Sequence, residues 1–284
     1  MASAGTPRSR PSLLIVFVPI LLVLITFLFW YQTWFGSPLS DEQMEKYLTD
    51  TSIPHKTQHA LAQLSARMAR GDAAARRWYP ELLALARRPE PQYRLMAAWA
   101  MGQDNHAEEF HQALRSLVAD PEPTVRWNAA LALVRFGDGS GEPQLRAMLE
   151  PYTLVAPAAG TLSFRLKEQD AVHSGSVVAR LRPQAPATGG AVDVVSPLSG
   201  EVAHLVARDG ATVSAGDALA VLNPGESQVW ESLRALYLVG QPGDLEDVEK
   251  FTLPNVSERI RAQAAATAQA IRHRVTGPAA SGKS

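Results

Sequence analysis

The amino-acid sequence predicts an α+β multidomain chain: an N-terminal transmembrane helix, an α-helical repeat solenoid with an inserted all-β domain, and C-terminal helices. Three observations predict it, namely an uncharged apolar run, a repeat within the helical segments, and two similar β-rich halves that interrupt them. The predicted segments are a cytoplasmic N-terminus (1–11), a transmembrane helix (12–35), helical repeats (41–150), the β domain (151–224), C-terminal helices that continue the array (225–275), and a disordered tail (276–284).

Composition and charge exclude several classes of function. The 284 residues carry 27 basic and 28 acidic side chains, and this near balance gives no strong field that would attract nucleic acid. The chain contains no cysteine, which excludes disulfides, thiolate zinc sites, iron–sulfur clusters and a cysteine nucleophile. Any function that needs a modified lysine is limited to a few positions. The lysines are Lys46, Lys56, Lys167, Lys250 and Lys283.

An apolar N-terminal segment predicts a membrane anchor. Leu13 to Phe35 contains no charged residue and is long enough for a bilayer, which about 20 apolar residues span. Arg8 and Arg10 precede the segment and acidic residues follow it, so the positive-inside tendency places the N-terminus in the cytoplasm. We therefore predict a single-pass protein of the bacterial inner membrane whose bulk is periplasmic. The alternative is a cleaved signal peptide, but the apolar run is too long and no small-residue cleavage site follows it.

Two proline-rich stretches reveal an internal repeat. PEPQYRLMAAWA begins at Pro89 and PEPTVRWNAALA begins at Pro121, an offset of 32 residues. The prolines favour helix starts, the shared alanines allow close helix packing, and Gly102 and Gly137 favour helix ends. Repeated helix pairs at this period predict a solenoid, in which each unit buries its apolar face against its neighbours.

The repeat resembles HEAT repeats of the short bacterial kind. DPEPTVRWNAALALVRFG, from Asp120 to Gly137, carries their pattern of Asp-Pro, Val-Arg, paired alanines and a closing glycine. The resemblance implies an interaction scaffold with no inherited chemistry. The pattern returns after the β-rich segment, where Asn223 to Gly240 aligns with Asp120 to Gly137 at an offset of 103 residues. We therefore predict that the array continues beyond the β domain. The alternative is a separate C-terminal helical hairpin that packs on it.

Two β-rich halves, Val155 to Pro183 and Val195 to Pro224, share one pattern. Each begins with a proline and a glycine three residues later, continues with alternating apolar residues, and passes through a polar turn to a short apolar strand. Short strands separated by Gly and Asp predict a small sandwich or barrel. The equivalent residues are Pro157 and Pro197, Gly160 and Gly200, Val172 and Val213, and Gly175 and Gly216.

This half-motif resembles the biotinyl/lipoyl family, whose fold is a barrel-sandwich hybrid of two interlocked halves. Carrier members of that family present a modified lysine on the hairpin that joins the halves. Here the joint, Arg182 to Val194, contains no lysine, and the only lysine of the domain, Lys167, falls at a different turn. The resemblance therefore argues against a biotin or lipoate carrier, and we predict no cofactor and no cofactor-binding residue.

The periplasmic adaptors called membrane fusion proteins are also similar to this chain. They share its N-terminal anchor and its split lipoyl-like barrel, and a long helical hairpin usually joins their barrel halves. The joint from Arg182 to Val194 is too short for such a hairpin. The resemblance therefore implies packing of the barrel against a partner rather than reach to an outer-membrane channel.

The C-terminal GPAASGKS, from Gly277 to Ser284, has the spelling of a phosphate-binding loop. Such a loop works between a buried strand and a helix whose N-terminus faces the phosphates. The preceding AIRHRVT reads as the end of a polar helix rather than as a buried strand. We therefore predict a disordered tail and no nucleotide partner.

The histidines of the sequence are not spaced as in a recognisable catalytic or metal-binding motif. His55 and His59 are spaced to share a metal on one helix face, but no third ligand is evident and an exposed polar face explains them better. His106 and His111 lie near a helix start without a carboxylate or serine partner in a recognisable order. We therefore predict no catalytic residue and no metal-binding residue.

Three tryptophans and two arginines of the helical segments are predicted to stabilise the fold rather than to bind a ligand. Trp99, Trp127 and Trp230 fall at core-like helix positions and are predicted to pack between repeats. Arg94 and Arg126 occupy equivalent positions of two units and are predicted to form salt bridges from one repeat to the next.

Together these features predict a non-catalytic, membrane-anchored periplasmic scaffold or adaptor that binds other envelope or inner-membrane proteins. Homo-oligomerisation is an open alternative. So is a membrane-fusion-type adaptor of an efflux or secretion transporter. A covalent cofactor carrier is the least favoured function.

Overall fold

The computed structural model describes residues 20–27, 38–183 and 190–276, and these are mixed helix and sheet. They fall into two compact units, residues 1–63 and 64–284, whose boundary lies within one helix. The α-helices from residue 41 onward are α1 (Asp41–Thr49), α2 (Pro54–Ala69), α3 (Tyr79–Leu85), α4 (Pro91–Met101), α5 (Glu108–Leu117), α6 (Pro123–Arg135), α7 (Glu142–Ala147), α8 (Glu226–Val239), α9 (Leu245–Glu249) and α10 (Glu258–Thr276). Three short 3₁₀ helices are Ala73–Trp78, Pro242–Asp244 and Lys250–Thr252.

The structure contradicts the predicted transmembrane helix over 12–35. Residues 20–27 are helical, but none of the helices within 20–27, 38–183 and 190–276 is long and apolar enough to cross a membrane. A helix that crosses a bilayer needs about 20 apolar residues. The remainder of the predicted segment, 12–19 and 28–35, lies outside the described residues. The predicted inner-membrane location with a periplasmic bulk rested on this helix and is withdrawn with it.

The first unit contains a helix start that the sequence specifies locally. The Ser40 hydroxyl accepts a hydrogen bond from the Gln43 amide N–H at 3.2 Å, and Gln43 Oε1 accepts one from the Ser40 amide N–H at 3.0 Å. This reciprocal capping box satisfies two backbone donors at the start of α1. Met44 and Leu48, one turn apart on α1, are buried.

In the second unit, helices pack as a layered array. α4 contacts α5 and α6, and α6 contacts α5 and α7, so successive helix pairs stack on one another. Proline occupies the first turn of α4 and of α6, where its missing N–H costs no helical hydrogen bond. Small residues lie where the helices meet, and the buried members on α4 and α6 are Ala97, Ala98, Ala100, Ala129, Ala130 and Ala132.

The strands of the second unit form two four-stranded antiparallel sheets, which we call the β module (Tyr152–Pro224). One sheet has the order β1-β8-β6-β3 and the other β5-β4-β2-β7. Each sheet therefore takes two strands from each half of the sequence, and the two halves interlock. The strands are β1 (Tyr152–Val155), β2 (Gly160–Phe164), β3 (Ala171–Val172), β4 (Val177–Arg182), β5 (Val192–Val195), β6 (Gly200–Leu205), β7 (Thr212–Val213) and β8 (Ala218–Pro224).

Equivalent residues of the two halves fill the interior of the β module. The buried pairs are Leu154 and Val194, Leu162 and Val202, Val172 and Val213, Val178 and Leu219, and Leu181 and Leu222. The repeated glycines explain how closely the strands approach. A Cβ on Gly160 would lie 2.7 Å from the Arg182 carbonyl oxygen, and one on Gly200 would lie 1.9 Å from that of Asn223. Only glycine fits at these two places.

The helices on either side of the β module are neighbours in space. α8, which follows the module, packs against α6 and α7, which precede it. The buried Ser232 hydroxyl donates to the Leu145 carbonyl oxygen at 2.6 Å, and Gln228 Nε2 donates to that of Met148 at 3.0 Å. Trp127 meets the ring of Tyr152 edge-on, with centroids 6.2 Å apart. Helices and strands therefore share one continuous hydrophobic core.

Candidate interaction groove

The helices α4, α6 and α8 present stripes of residues to one shared surface, which we call the repeat groove. The stripes are Leu95 and Trp99 on α4 with Gln103 in the turn after it, Thr124, Asn128, Leu131 and Arg135 on α6, and Ser227, Glu231, Arg234 and Leu238 on α8. A spacing of three or four residues puts each stripe on one helix face. The C-terminal residues of all three helices line one end of the groove and the N-terminal residues the other, so the helices run in the same direction.

The end of the repeat groove formed by the helix C-termini is a cleft of about 400 Å³. Small residues, Gly102, Ala132 and Ala235, lie among its lining. A Cβ on Gly102 would come within 3.0 Å of the Ala132 Cβ, so the glycine permits close approach of α4 to α6. The volume of the cleft leaves room for a bulky side chain from outside.

Large apolar side chains at this end are exposed to solvent. The exposed fraction is 49% for Trp99, 61% for Leu238 and 44% for Tyr237, which precedes Leu238. The prediction that Trp99 packs between repeats is therefore wrong, whereas Trp127, at 6% exposed, is buried as predicted. Exposed apolar surface that is grouped in this way is typical of a binding surface.

The other end of the repeat groove meets the β module in a cleft of about 690 Å³. His173, Ser199 and the first turn of α8 line it, together with Trp127. The indole N–H of Trp127 is buried and has no acceptor within the described part of the chain. The β module thus closes one end of a surface that the helices build.

Arg135 and Arg234 line the exposed end of the groove. The Arg234 and Arg259 guanidinium carbons lie 4.5 and 4.1 Å from the ring centroid of Trp230. This half-buried tryptophan packs against the hydrophobic core and also holds two cations through its ring. Arg234 is 3.9 Å from Glu231, a separation at the outer limit of an exposed ion pair. Exposed Arg135 makes no side-chain hydrogen bond or ion pair with any residue of the ranges that the structure describes.

A buried ion pair sets the spacing between the first two stripes. Arg94 Nε donates to Asp120 Oδ2 at 2.7 Å and Nη2 donates to Oδ1 at 2.8 Å, in a bidentate arrangement. Arg94 Nη1 also donates to the carbonyl oxygens of Arg88 and Pro89, at 2.9 and 2.7 Å. Burial opposes ionisation of Asp120, but hydrogen bonds from Arg94 and from the Glu122 amide lower its pKa below the usual value. The predicted salt bridge between repeats is confirmed for Arg94.

Arg126 occupies the equivalent place in the next unit but forms a different contact. Its Nη1 donates to the carbonyl oxygens of Asp120 and Pro121 at 2.8 and 3.0 Å, as Arg94 does one unit earlier. Its Nε donates to Gln144 Oε1 at 3.0 Å, where Arg94 meets a carboxylate. In both units the arginine at this position therefore connects its helix to the preceding turn through hydrogen bonds. In the first unit Arg94 also forms an ion pair with Asp120.

A charged network joins the helices across the β module. Arg146 of α7 contacts Asp247 of α9 at 2.8 Å and Asp244 at 3.5 Å. A hydrogen bond with the Asp244 carboxyl, and then burial, raise the pKa of Glu142 to about 7. Lys250 donates to Asp247 at 2.7 Å, and this hydrogen bond is the main cause of the lowered pKa of Asp247. The segment before the module and the segment after it are thus held together by charge as well as by packing.

The histidines show no arrangement of a metal site. The described residues contain no group of three or more potential ligands that could hold a metal ion. His59 Nε2 contacts the Gln63 amide at 2.9 Å, and His55 is exposed. His111 lies 2.7 Å from Asp138 and 3.5 Å from Glu108, so its two ring nitrogens both face carboxylates.

Asp138 is a partner that the sequence order did not reveal. It follows α6 and also accepts from Arg115 at 2.6 Å and from the Ser140 amide at 2.8 Å, through its two carboxylate oxygens. Burial opposes its ionisation, but these hydrogen bonds together lower its pKa well below the usual range. The cluster links α5 to the loop after α6.

Two sequence motifs lie wholly or partly outside the described residues. Gly277 to Ser284, with the spelling of a phosphate-binding loop, is not described, and neither are residues 184–189 of the joint between the β halves. Lys167 is described, and its amide N–H donates to Asp170 Oδ2 at 2.9 Å within a turn.

Comparison with known proteins agrees with the helical array. Residues 79–161 match HEAT repeats. The predicted repeat is therefore confirmed over that range. The match covers α3 to α7 and the first strands of the β module. The search of curated proteins found no match.

Among solved structures, the chain is similar to one described as a single-chain, multi-domain long-chain acyl-CoA carboxylase. The identity is 21%, the TM-score is 0.24, and the likeness covers 57% of this chain and 14% of that one. The chain thus spans a small part of that protein's length, and nothing about activity follows from a likeness at this TM-score.

The sequence analysis did not identify the groove residues as a site, although several of them occupy equivalent positions of the repeat. At the offsets of 32 and 103 residues, Trp99, Leu131 and Arg234 are equivalent. The next turn gives a second equivalent set, which is Gln103, Arg135 and Leu238. Residues that share a repeat position line one surface of a stacked array, so the alignment itself places these six residues together.

Proposed function

We propose that this protein is a non-catalytic scaffold that binds another protein through the repeat groove. The observation that carries the proposal is the exposed apolar rim, where Trp99 and Leu238 flank an open cleft. Burying such side chains in a partner would gain about 25 cal/mol for each Å² of apolar surface removed from water. Solenoids offer extended surfaces of this kind to their partners, which supports the same function.

We further propose that the β module is a biotinyl/lipoyl-like domain with a structural role. The interlocked strand order and the buried equivalent pairs support this fold. The joint between its halves contains no lysine, and this favours a structural role over that of a covalent carrier. An intact mass that equals the polypeptide mass would agree with the proposal, whereas added mass on Lys167 would contradict it.

The proposal assigns no catalytic chemistry to the chain. The strongest titratable cluster, around Asp138, is filled by His111 and Arg115. Both nitrogens of His111 face carboxylates, so the ring is arranged to bridge helices rather than to activate a nucleophile.

Site-specific photo-cross-linking tests the scaffold function. A photoreactive phenylalanine replaces Trp99 or Leu238 in the full chain, and Leu253, which is 53% exposed outside the groove, is replaced as the control. We expect one defined protein adduct from the two groove positions and not from position 253. The purified adduct protein should then bind the purified chain directly. Equal labelling from all three positions, or no adduct from the groove, would contradict the proposal.

A further inference from the structure

We propose that the segment bound in the repeat groove is an acidic amphipathic helix of about three turns in the partner protein. This inference rests on the scaffold function proposed above and names the chemistry of its partner. Three features of the groove lead to it: its length, the lack of backbone pairing groups, and the cations at its open end.

The stripes set the length of the bound segment. On α6 the groove runs from Thr124 to Arg135, and on α8 from Ser227 to Leu238. At 1.5 Å per residue each stripe is about 16 Å long, which matches about 11 residues of a helix, or about three turns.

The backbone of the groove favours a helical ligand over an extended one. The three stripes lie on helices whose amides and carbonyls are paired within the helix, so the groove offers no row of free N–H and C=O groups like that of a sheet edge. An extended peptide would leave its own backbone groups unpaired along this apolar surface. A helix satisfies them internally and presents side chains at three- and four-residue spacing.

The floor of the cleft defines the apolar face of the ligand. Ala132 and Ala235 leave space between Trp99 and Leu238, and both of the larger side chains stand exposed beside it. A leucine or tryptophan of the ligand would fit over the alanines and cover the two exposed side chains. This contact would form the anchor of the interface.

The charges at the open end select an acidic ligand. Arg135 lines this end of the groove from α6, and Arg234 lines it from α8. The one acidic side chain that lines this cleft, Glu231, is 3.9 Å from Arg234 and compensates part of the charge. Carboxylates of the ligand would pair with Arg135 and Arg234 and would be held through the fork geometry of the guanidiniums.

The test uses two fluorescein-labelled synthetic peptides of about 11 residues with the full chain. Both carry leucine and tryptophan at helical spacing; one has glutamate at the remaining positions and its twin has lysine. We expect the glutamate peptide to bind at least about tenfold more tightly by fluorescence anisotropy. The preference should shrink from about 0.01 M to about 1 M salt, because the screening length falls from about 30 Å to about 3 Å.

A charge-reversed variant, Arg135→Glu with Arg234→Glu, provides the matched control. We expect it to prefer the lysine peptide, and circular dichroism checks that it is folded. Leu238→Ser, which keeps every charge, should weaken the binding of both peptides. Equal binding of the twins, tighter binding of the lysine peptide to the wild-type chain, or an unchanged preference in the charge-reversed variant would overturn the inference.

Failure of this inference can be told apart from failure of the scaffold function. If neither peptide binds while the adduct at position 99 still forms, the acidic helix is wrong and the scaffold function stands. If the two groove positions instead cross-link the chain to a second copy of itself, the partner is another copy and this inference is overturned.

Discussion

Arg94 and Asp120 form a bidentate ion pair between successive helical repeats, with side chains that are only 11% and 6% exposed. Both oxygens of the carboxylate accept from the guanidinium, and the remaining Nη1 donates to two carbonyl oxygens near the end of the preceding unit. The pair therefore connects one inter-helix loop to the next and sets the distance between α4 and α6, the two helices that begin the repeat groove.

Removal of one partner of this pair should strongly destabilise the chain. We expect Arg94→Met to lower the free energy of unfolding by about 3–5 kcal/mol, because it leaves the Asp120 carboxylate buried without its counter-charge. Urea unfolding followed by circular dichroism measures the loss. Adding Asp120→Asn to Arg94→Met should recover part of it, and a double variant as unstable as the sum of the two single variants would contradict the explanation.

The shifted pKa of Glu142 predicts a pH dependence of stability. The folded chain holds the Glu142 proton up to about pH 7, while the ordinary value is 4.5, so the folded state binds the proton more tightly than the unfolded state does. The stability from this proton is complete at pH values below 4.5 and is lost as the pH rises through 7. We expect the free energy of unfolding to fall by roughly 1–2 kcal/mol between about pH 5 and about pH 8.

Substitution of Glu142 isolates this effect. Glu142→Gln keeps a hydrogen-bond donor towards Asp244 but cannot titrate, so its stability should change less over the same pH range. Glu150→Gln, in the same network beside Lys250, should keep the wild-type slope. If all three proteins show the same pH dependence in parallel urea titrations, another group is responsible.

Gly200→Ala should disrupt the β module. Its Cβ would lie 1.9 Å from the Asn223 carbonyl oxygen, and a backbone atom of a paired strand cannot move aside without breaking the ladder. We expect a loss of roughly 3 kcal/mol or more in the free energy of unfolding. Gly190→Ala, where the added Cβ meets no atom of the described residues within 4 Å, is the control and should be close to wild type. Equal thermal stability of the two variants would contradict this strand geometry.

Arg274 should stabilise the C-terminus of α8. Its guanidinium donates to the carbonyl oxygens of Leu236, Tyr237 and Gly240 at 3.2, 2.8 and 2.9 Å, at a helix end where carbonyl groups run out of intrahelical partners. We expect Arg274→Met to lower the free energy of unfolding by roughly 1 kcal/mol. Arg272→Met, which removes an exposed ion pair with Glu249, should cost less than about 0.5 kcal/mol, as measured by chemical unfolding. A larger loss for Arg272 than for Arg274 would be the contrary result.

The repeat was predictable because its chemistry is local. Prolines at the helix starts and alanines at helix contacts recur at one offset, and the arginine at position 94 meets its carboxylate as the pattern indicated. The equivalence of the β halves was equally visible, since the apolar residues of one half pair with buried residues at equivalent positions of the other, such as Leu162 with Val202 and Val178 with Leu219. The predicted membrane helix over 12–35 is not supported, since no helix of the described residues is long and apolar enough to cross a membrane.

The groove was not predictable from local patterns. Trp99 reads as a core residue by its helix position, yet its side chain is half exposed, because α8 adds a side wall without covering it. The contact between α8 and α6 depends on where the whole β module returns the chain. For the same reason Glu142 and Asp244, which are far apart in sequence, become partners through an arrangement that no local motif encodes.

The most direct test of the central claim is calorimetric titration of the cross-linked partner, once purified, against three forms of the full chain. These are the wild type, Leu238→Glu in the groove, and Leu253→Glu, a matched substitution of a similarly exposed leucine outside it. We predict that Leu253→Glu binds as the wild type does and that Leu238→Glu binds at least about tenfold more weakly, a difference of about 1.4 kcal/mol. Equal affinity of all three forms would contradict the claim that the repeat groove is the binding surface.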